Sequence, residues 1–180
     1  MLRLSGVIGC VDVAMKIMLS LLLLTFSFVS ACAQAEHIDR IDIVDYGTYT
    51  ARTEGHLTAP GTAAGRWSTL GNIQHAMTTQ TVPAQLGTRF GFSYVVVGEP
   101  QGMLVSLHVV NIYPSPGLNN PANPPARERD EYDRAVHVGE ELYTGYRFDH
   151  DWEVVPGTWT FQLWYEGRMA AEQKFTIVSP

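Results

Sequence analysis

The sequence predicts an all-β fold: an antiparallel sandwich of about seven to eight short strands around one core. Three observations carry this. After residue 40, apolar and polar residues alternate with period two, and no stretch sustains a helical period. Clusters of turn-forming residues separate the alternating runs, as at Gly98-Glu99-Pro100-Gln101-Gly102 and Pro156-Gly157. The 180 residues, 46% hydrophobic and 17% charged, suit a single globular domain rather than a disordered chain.

Residues 1–35 read as a signal segment ahead of that domain. Met15-Lys16 precedes an uncharged apolar run, Ile17 to Val29, and small residues follow from Ser30 to Ala35. A basic start, a short apolar stretch and small residues at its end form the pattern of a secretory signal. The run is too short for a membrane span, which needs about 20 apolar residues. Asp12 does not suit a basic leader, so Met15 is the expected true start. Two cleavage readings compete. Ala33-Gln34-Ala35 would release a chain beginning at Glu36, whereas Val29-Ser30-Ala31-Cys32 has the order of a bacterial lipobox, with Cys32 as the lipid attachment point. The order small-small-Cys tips the reading slightly towards the lipobox. The expected location is therefore outside the cytoplasm, in the periplasm or as a lipoprotein anchored to the outer membrane. Membrane contact is expected only through Cys32.

The single domain, 36–180, contains no cysteine, so its core must hold it without a disulfide. A chain of this size buries roughly 68–70% of its unfolded surface, which is sufficient. Of 18 acidic residues only Asp12 precedes Glu36, and of 12 Lys and Arg only Arg3 and Lys16 do, leaving 17 acidic against 10 basic side chains. Nucleic-acid binding needs clustered cations to neutralise phosphates, so this balance argues against it.

The elements follow in chain order. Ile41–Ala51 and Ile73–Val82 are strand-like, rich in β-branched and aromatic residues, with the Gly/Ala/Thr stretch 55–67 between them as a loop. Thr88–Val97 sets Phe90, Phe92, Tyr94 and Val96 on one face, against Arg89, Gly91 and Ser93. The run Met103–Val109 sets Met103, Val105, Leu107 and Val109 opposite Ser106 and His108, and the two are expected to pair as a hairpin. Residues 113–129 hold five of the ten prolines and read as irregular. Tyr146–Val154 alternates again, with Tyr146, Phe148, His150 and Trp152 on its apolar parity. Trp159–Tyr165 and Met169–Ile177 close the domain. A three-residue loop, Glu166-Gly167-Arg168, would pair Trp159 with Phe175 and Leu163 with Ala171, whereas a two-residue turn would set Phe161 against Glu172. No internal repeat is visible.

Several of these strings together resemble a known family. IVDYGTY, TVPAQLGTRFGF, IYPSPGL and DWEVVPGTWTFQLWYEGRMAAEQKFTIV are similar to the bacterial family catalogued as domain of unknown function 3859. VPGTWTFQLWYEGR also resembles the entry into the penultimate strand of immunoglobulin-like bacterial modules. The resemblance covers nearly the whole domain and implies a secreted, immunoglobulin-like β module. It supplies no catalytic or binding residues.

Motifs for chemistry are absent. There is no G-x-S-x-G elbow, H-E-x-x-H, Walker loop or strand-borne G-x-G-x-x-G, and the six histidines form no H-x-H or H-x3-H pair. The expectation is a protein that is not an enzyme, with no catalytic residue, metal or cofactor. Four features still bear weighing. Asp149, Asp151 and Glu153 would share a strand face at about 6.8 Å spacing, a conceivable Ca²⁺ site. A solvated strand face is the favoured reading, with Arg147 placed to neutralise Asp149. His150 falls on the apolar parity, as a core or rim histidine rather than a ligand. Trp164, with Thr160 and Gln162 on the polar parity, is the candidate binding platform for a sugar or a protein. The loop Pro114–Arg134 passes from prolines to alternating charge, and Tyr113-Pro114 is a candidate cis bond.

These readings converge on a non-catalytic binding or accessory module contacting another envelope protein. The alternatives are a carbohydrate-binding module using Trp164, or an inhibitor of an envelope protease acting through the loop Pro114–Arg134.

Overall fold

The computed structural model describes residues 37–179. The expected signal segment 1–35, with Met15, both cleavage positions and Cys32, lies outside the described residues. Among the described residues nine strands form two sheets. They are β1 (His37–Thr58), β2 (Arg66–Met77), β3 (Thr81–Pro83), β4 (Arg89–Glu99), β5 (Leu104–Ile112), β6 (Arg129–His137), β7 (Glu141–Arg147), β8 (Gly157–Tyr165) and β9 (Arg168–Val178). One sheet has the order β2-β1-β4-β7 and the other β3-β9-β8-β5-β6. All pairings are antiparallel except that of β3 with β9.

The core is where the alternation pointed. Phe90, Phe92, Tyr94 and Val96 of β4 are fully buried, facing Val105, Leu107 and Val109 of β5 and Trp159, Phe161 and Leu163 of β8. Phe90 sits at the centre, its ring 5.2–5.7 Å from those of Phe148, Trp159, Phe161 and Phe175. Each fully buried large apolar side chain contributes about 1.5–3 kcal/mol, so this aromatic layer holds the two sheets together without a cross-link.

Several local expectations are corrected. β4 and β5 do not pair; they lie in different sheets, and the turn 100–103 carries the chain across the sandwich. Both strands have a strongly apolar face, and placing them on opposite walls of the core buries both faces. The other parity of β4 is buried too: Arg89 and Ser93 lie beneath an outer layer in which Tyr49 accepts the Ser93 N–H at 3.1 Å. β1 runs to Thr58 and β2 starts at Arg66, so both ends of the stretch 55–67 are paired strand and only 59–65 is a turn. Mutual pairing supplies the order that a Gly/Ala/Thr sequence lacks by itself.

The segment 73–82 is likewise divided between the end of β2 and β3, which belongs to the other sheet. Between them the backbone of Met77–Thr79 crosses Gly47, where a Cβ would overlap the Met77 carbonyl oxygen. The β8–β9 turn has two residues, Glu166 (φ 47°) and Gly167 (φ 74°), joining the paired Tyr165 and Arg168. A register shift between Leu163 and Trp164 skips Ala170 on β9. The Trp159–Phe175 and Leu163–Ala171 pairings therefore survive beside the shorter turn. The Tyr113–Pro114 bond is not cis; the cis peptides are Glu99–Pro100, Ser115–Pro116 and Pro124–Pro125. The extended course of β5 continues through Tyr113, whose N–H bonds the Glu128 carbonyl at 2.8 Å. The charged half of Pro114–Arg134 is no loop: from Arg129 it is β6, paired along its length with β5.

Candidate functional site

The site is built by the length of β1. At about 3.3 Å per residue, its 22 residues outrun the sandwich. His37–Thr48 pairs with β4, and Thr48–Thr58 continues with β2 alone as a two-stranded arm. Three register shifts in the arm increase its twist and bend it. A free two-stranded hairpin is marginal in water, so the arm needs an anchor. It finds one in the proline-rich loop and the first residues of β6. The Asp130 carboxylate accepts the Ala63 N–H at 2.9 Å and the Tyr113 hydroxyl at 2.7 Å. Asn120 donates to the Ala63 carbonyl at 2.8 Å, and Arg127 to the Gly61 carbonyl at 2.8 Å. Trp67 of β2 lies against Tyr132 of β6, ring centroids 4.7 Å apart.

Between the arm and the sandwich runs a cleft of about 580 Å³. Its sandwich wall is the side where both sheets end, at β7 and β6. Tyr113, Tyr132, Tyr143 and Tyr146 line that wall, and Leu57, Trp67, Leu70 and Ile73 line the arm. Leu57, Trp67 and Ile73 are exposed, although large and apolar. Among the described residues β7 has a strand neighbour only in β4. Phe148 exchanges backbone bonds on the β4 side, so by alternation Tyr143, Gly145 and Arg147 turn their backbone groups towards the cleft. The Tyr143 carbonyl is met there by Arg134 at 2.7 Å. The Tyr143 ring folds back over Gly145, where a Cβ would collide with its hydroxyl, and donates to the Phe90 carbonyl at 2.9 Å.

Two carboxylates in the cleft wall are almost wholly buried, Asp130 (3% exposed) and Glu153 (2%). Burial pushes both above the usual carboxylate range, against the lowering influence of their donors. Glu153 accepts the Tyr146 hydroxyl at 3.0 Å and the N–H groups of Asp149 and His150. The lone pairs of both carboxylates are thus engaged in holding the chain. Burial likewise raises Tyr113, Tyr143 and Tyr146, so their hydroxyls stay protonated donors at neutral pH. Among the described residues no histidine lines the cleft.

At the end where β4 begins and β7 finishes the charge is positive. Arg89 is buried, and burial lowers its pKa; its polar neighbour is the Tyr143 hydroxyl. Arg147, its cross-strand partner, pairs with Asp149 at 3.2 Å. Arg66 of the arm reaches His150 at 3.3 Å.

The residues singled out in the sequence fall unevenly around this site. Asp149, Asp151 and Glu153 do not share a strand face: β7 ends at Arg147, and Asp151–Glu153 is a 3-10 turn closed by the Glu153 carboxylate. Glu153 points inward, Asp151 is exposed, and no group of side chains suited to a metal occurs among the described residues. Arg147 does neutralise Asp149. His150 is exposed at the rim, stacked on Trp152 at 5.7 Å. Trp164, Thr160 and Gln162 lie outside the cleft, on β8. Thr160 is buried, Trp164 is half-buried and donates to Gln162 at 3.0 Å, and Gln162 donates to Glu172 at 2.8 Å. His108 meets Glu131 and Asp133 on an exposed strand surface rather than in a pocket. Asp130, Arg89, Arg66 and the tyrosine wall were not singled out. The available signal was weak: a charged residue on an otherwise aromatic strand (Arg89), and tyrosines recurring near the proline-rich loop.

Residues 40–177 match the family described as Domain of unknown function (DUF3859). The chain belongs to this family. Among solved structures, a DUF3859 chain with this architecture is similar to an immunoglobulin-like protein from Pseudomonas aeruginosa. The TM-score is 0.56 at 25% identity, covering 81% of this chain and 99% of the other. No curated protein matches. The DUF3859 domain described here is therefore an immunoglobulin-like sandwich carrying an arm that closes a cleft against one side.

Proposed function

We propose that this DUF3859 domain is an exported, non-catalytic binding module of the bacterial envelope, and that its cleft takes an extended segment of another envelope protein. The observation that supports this most is the free edge of β7 running along a cleft with aromatic and apolar walls. An open edge offers unpaired backbone groups to a partner strand, and flanking pockets supply side-chain contacts. The cleft volume lies within the range of ligand sites, roughly 300–1,000 Å³. Solvent-facing apolar residues on the arm suit a surface that is covered in use. Against catalysis stand the engagement of both buried carboxylates in structural bonds and, among the described residues, a lining without histidine.

The test is a photo-reactive residue at Leu70, inside the cleft, compared with one at Gln162, on the other sheet, in intact cells. The reading expects a discrete crosslinked protein from position 70 and none from 162. Capture from 162 alone would move the site to the Trp164 surface, and no capture from either would remove the reading. Mass spectrometry of the mature N-terminus separates a diacylglyceryl Cys32 from a free Glu36. An uncleaved N-terminus would contradict export.

A further inference from the structure

We propose that the Arg66–Arg89–Arg147 end of the cleft is an anion-binding pole that receives a carboxylate or phosphate group of the cleft's occupant. This rests on the binding-module reading and narrows the chemistry of what is bound.

Arg89 carries the argument. It is only 7% exposed, it lines the cleft, and among the described residues it makes no close ion pair: its partners are the Tyr143 hydroxyl and, at longer range, the Asp149 carboxylate that already pairs with Arg147. A buried guanidinium without a counter-ion of its own is costly, because one hydroxyl and a shared carboxylate replace less than the water the charge has left. The cost is compounded by register: Arg89 and Arg147 lie directly opposite on β4 and β7, an arrangement that repels in a sheet. Arg147 has Asp149, but Arg66 has only the His150 ring. Three of the nine arginines after Glu36 thus line the cleft, with Asp149 shared between two of them, in a chain where acidic side chains outnumber basic ones. The other carboxylates in the wall do not balance them: Asp130 and Glu153 are taken up by backbone and tyrosine donors, and Glu141 lies at the opposite end of β7 from Arg147. An arriving anion would supply the missing counter-charge, and a guanidinium offers carboxylate and phosphate two parallel N–H bonds. Gly145, two residues before Arg147 on β7, also lines the cleft, and by alternation its N–H faces the free edge.

The test uses the intact domain and two small anions, acetate and inorganic phosphate, followed by NMR at the arginine Nε–Hε and backbone amide signals. Sodium chloride at matched ionic strength is the reference. The proposal expects the Arg89 Nε–Hε and Gly145 amide signals to shift saturably. Arg89→Gln should weaken that response about tenfold or more, while Arg129→Gln, beside Glu131 on β6, should leave it unchanged. A response to acetate alone assigns the pole to a peptide carboxylate, and one to phosphate alone to a phosphorylated ligand. No shift, a shift no different from that in sodium chloride, or an identical shift in Arg89→Gln would overturn the proposal. Should Arg89→Gln fail to fold, the wild-type titration still decides. Crosslinks through Leu70 without an anion response would remove the pole and leave the cleft reading intact. An anion response without crosslinks would do the reverse.

Discussion

Replacing Asp130 by alanine should detach the arm. The carboxylate accepts the Ala63 N–H, at 2.9 Å to both oxygens, and the Tyr113 hydroxyl at 2.7 Å, in a site only 3% exposed. The substitution leaves two buried donors without an acceptor, each costing about 1–3 kcal/mol. Removing a carboxylate whose own burial is unfavourable returns part of that, so a net loss of about 3 kcal/mol is expected. For a domain of this size each kcal/mol lowers Tm by roughly 2–4 °C, which gives a drop of about 6–12 °C. Because the arm pairs only with itself beyond Thr48, the damage should concentrate there. Hydrogen exchange of residues 55–69 should quicken well beyond the change in β4 and β8. A Tm within about 2 °C of wild type, with arm protection unchanged, would refute the view that Asp130 is the anchor.

Two tyrosine-to-phenylalanine changes should differ in sign. The Tyr94 hydroxyl is buried without a hydrogen-bond partner among the described residues, so Tyr94→Phe should leave stability unchanged or raise it by about 1 kcal/mol. Tyr113→Phe strips a donor from the Asp130 carboxylate and should cost about 1.5–3 kcal/mol, and urea midpoints would separate the two. Glu153 and Asp130 have folded pKa values raised by burial, so the folded state holds their protons more tightly than the unfolded chain does. Their contribution is therefore full below the ordinary carboxyl value near about 4 and is lost as pH rises through the raised folded values. Wild type should gain stability relative to Glu153→Gln and Asp130→Asn on acidification from neutral pH; a gap that shrinks instead would contradict this. Gly91→Ala would drive a Cβ into the Thr144 carbonyl of β7 and should cost about 3 kcal/mol or more, read as a fall in Tm.

What was legible in the sequence was whatever a single strand's alternation decides. Phe90, Phe92, Tyr94 and Val96 form one wall of the core because period two admits no other face for them. Which strand pairs with which is a different kind of fact. The face pattern of β4 and β5 is equally satisfied by a hairpin and by two facing sheets, and only the rest of the chain decides between them. The β8–β9 turn shows the same limit on a smaller scale, since a register shift at Trp164 lets a two-residue turn keep the expected pairs. The cleft was least legible. Its parts come from the arm, the proline-rich loop, β4 and β7, and nothing local marks Asp130 as an anchor rather than one more charge in ARERDEYDR. Trp164 drew notice by parity, which reports where a side chain points and not whether a concave surface lies beside it.

The central claim is that the cleft beside β7 is where a partner strand lies. Hydrogen exchange of Tyr143, Gly145 and Arg147, measured on the free domain and on the complex captured in cells, tests it most directly. The account predicts that these three edge amides exchange rapidly in the free domain and slow by about tenfold or more in the complex, with the outward face of β8 unchanged. Unaltered exchange at the β7 edge, with slowing at Gln162 and Trp164 instead, would contradict it.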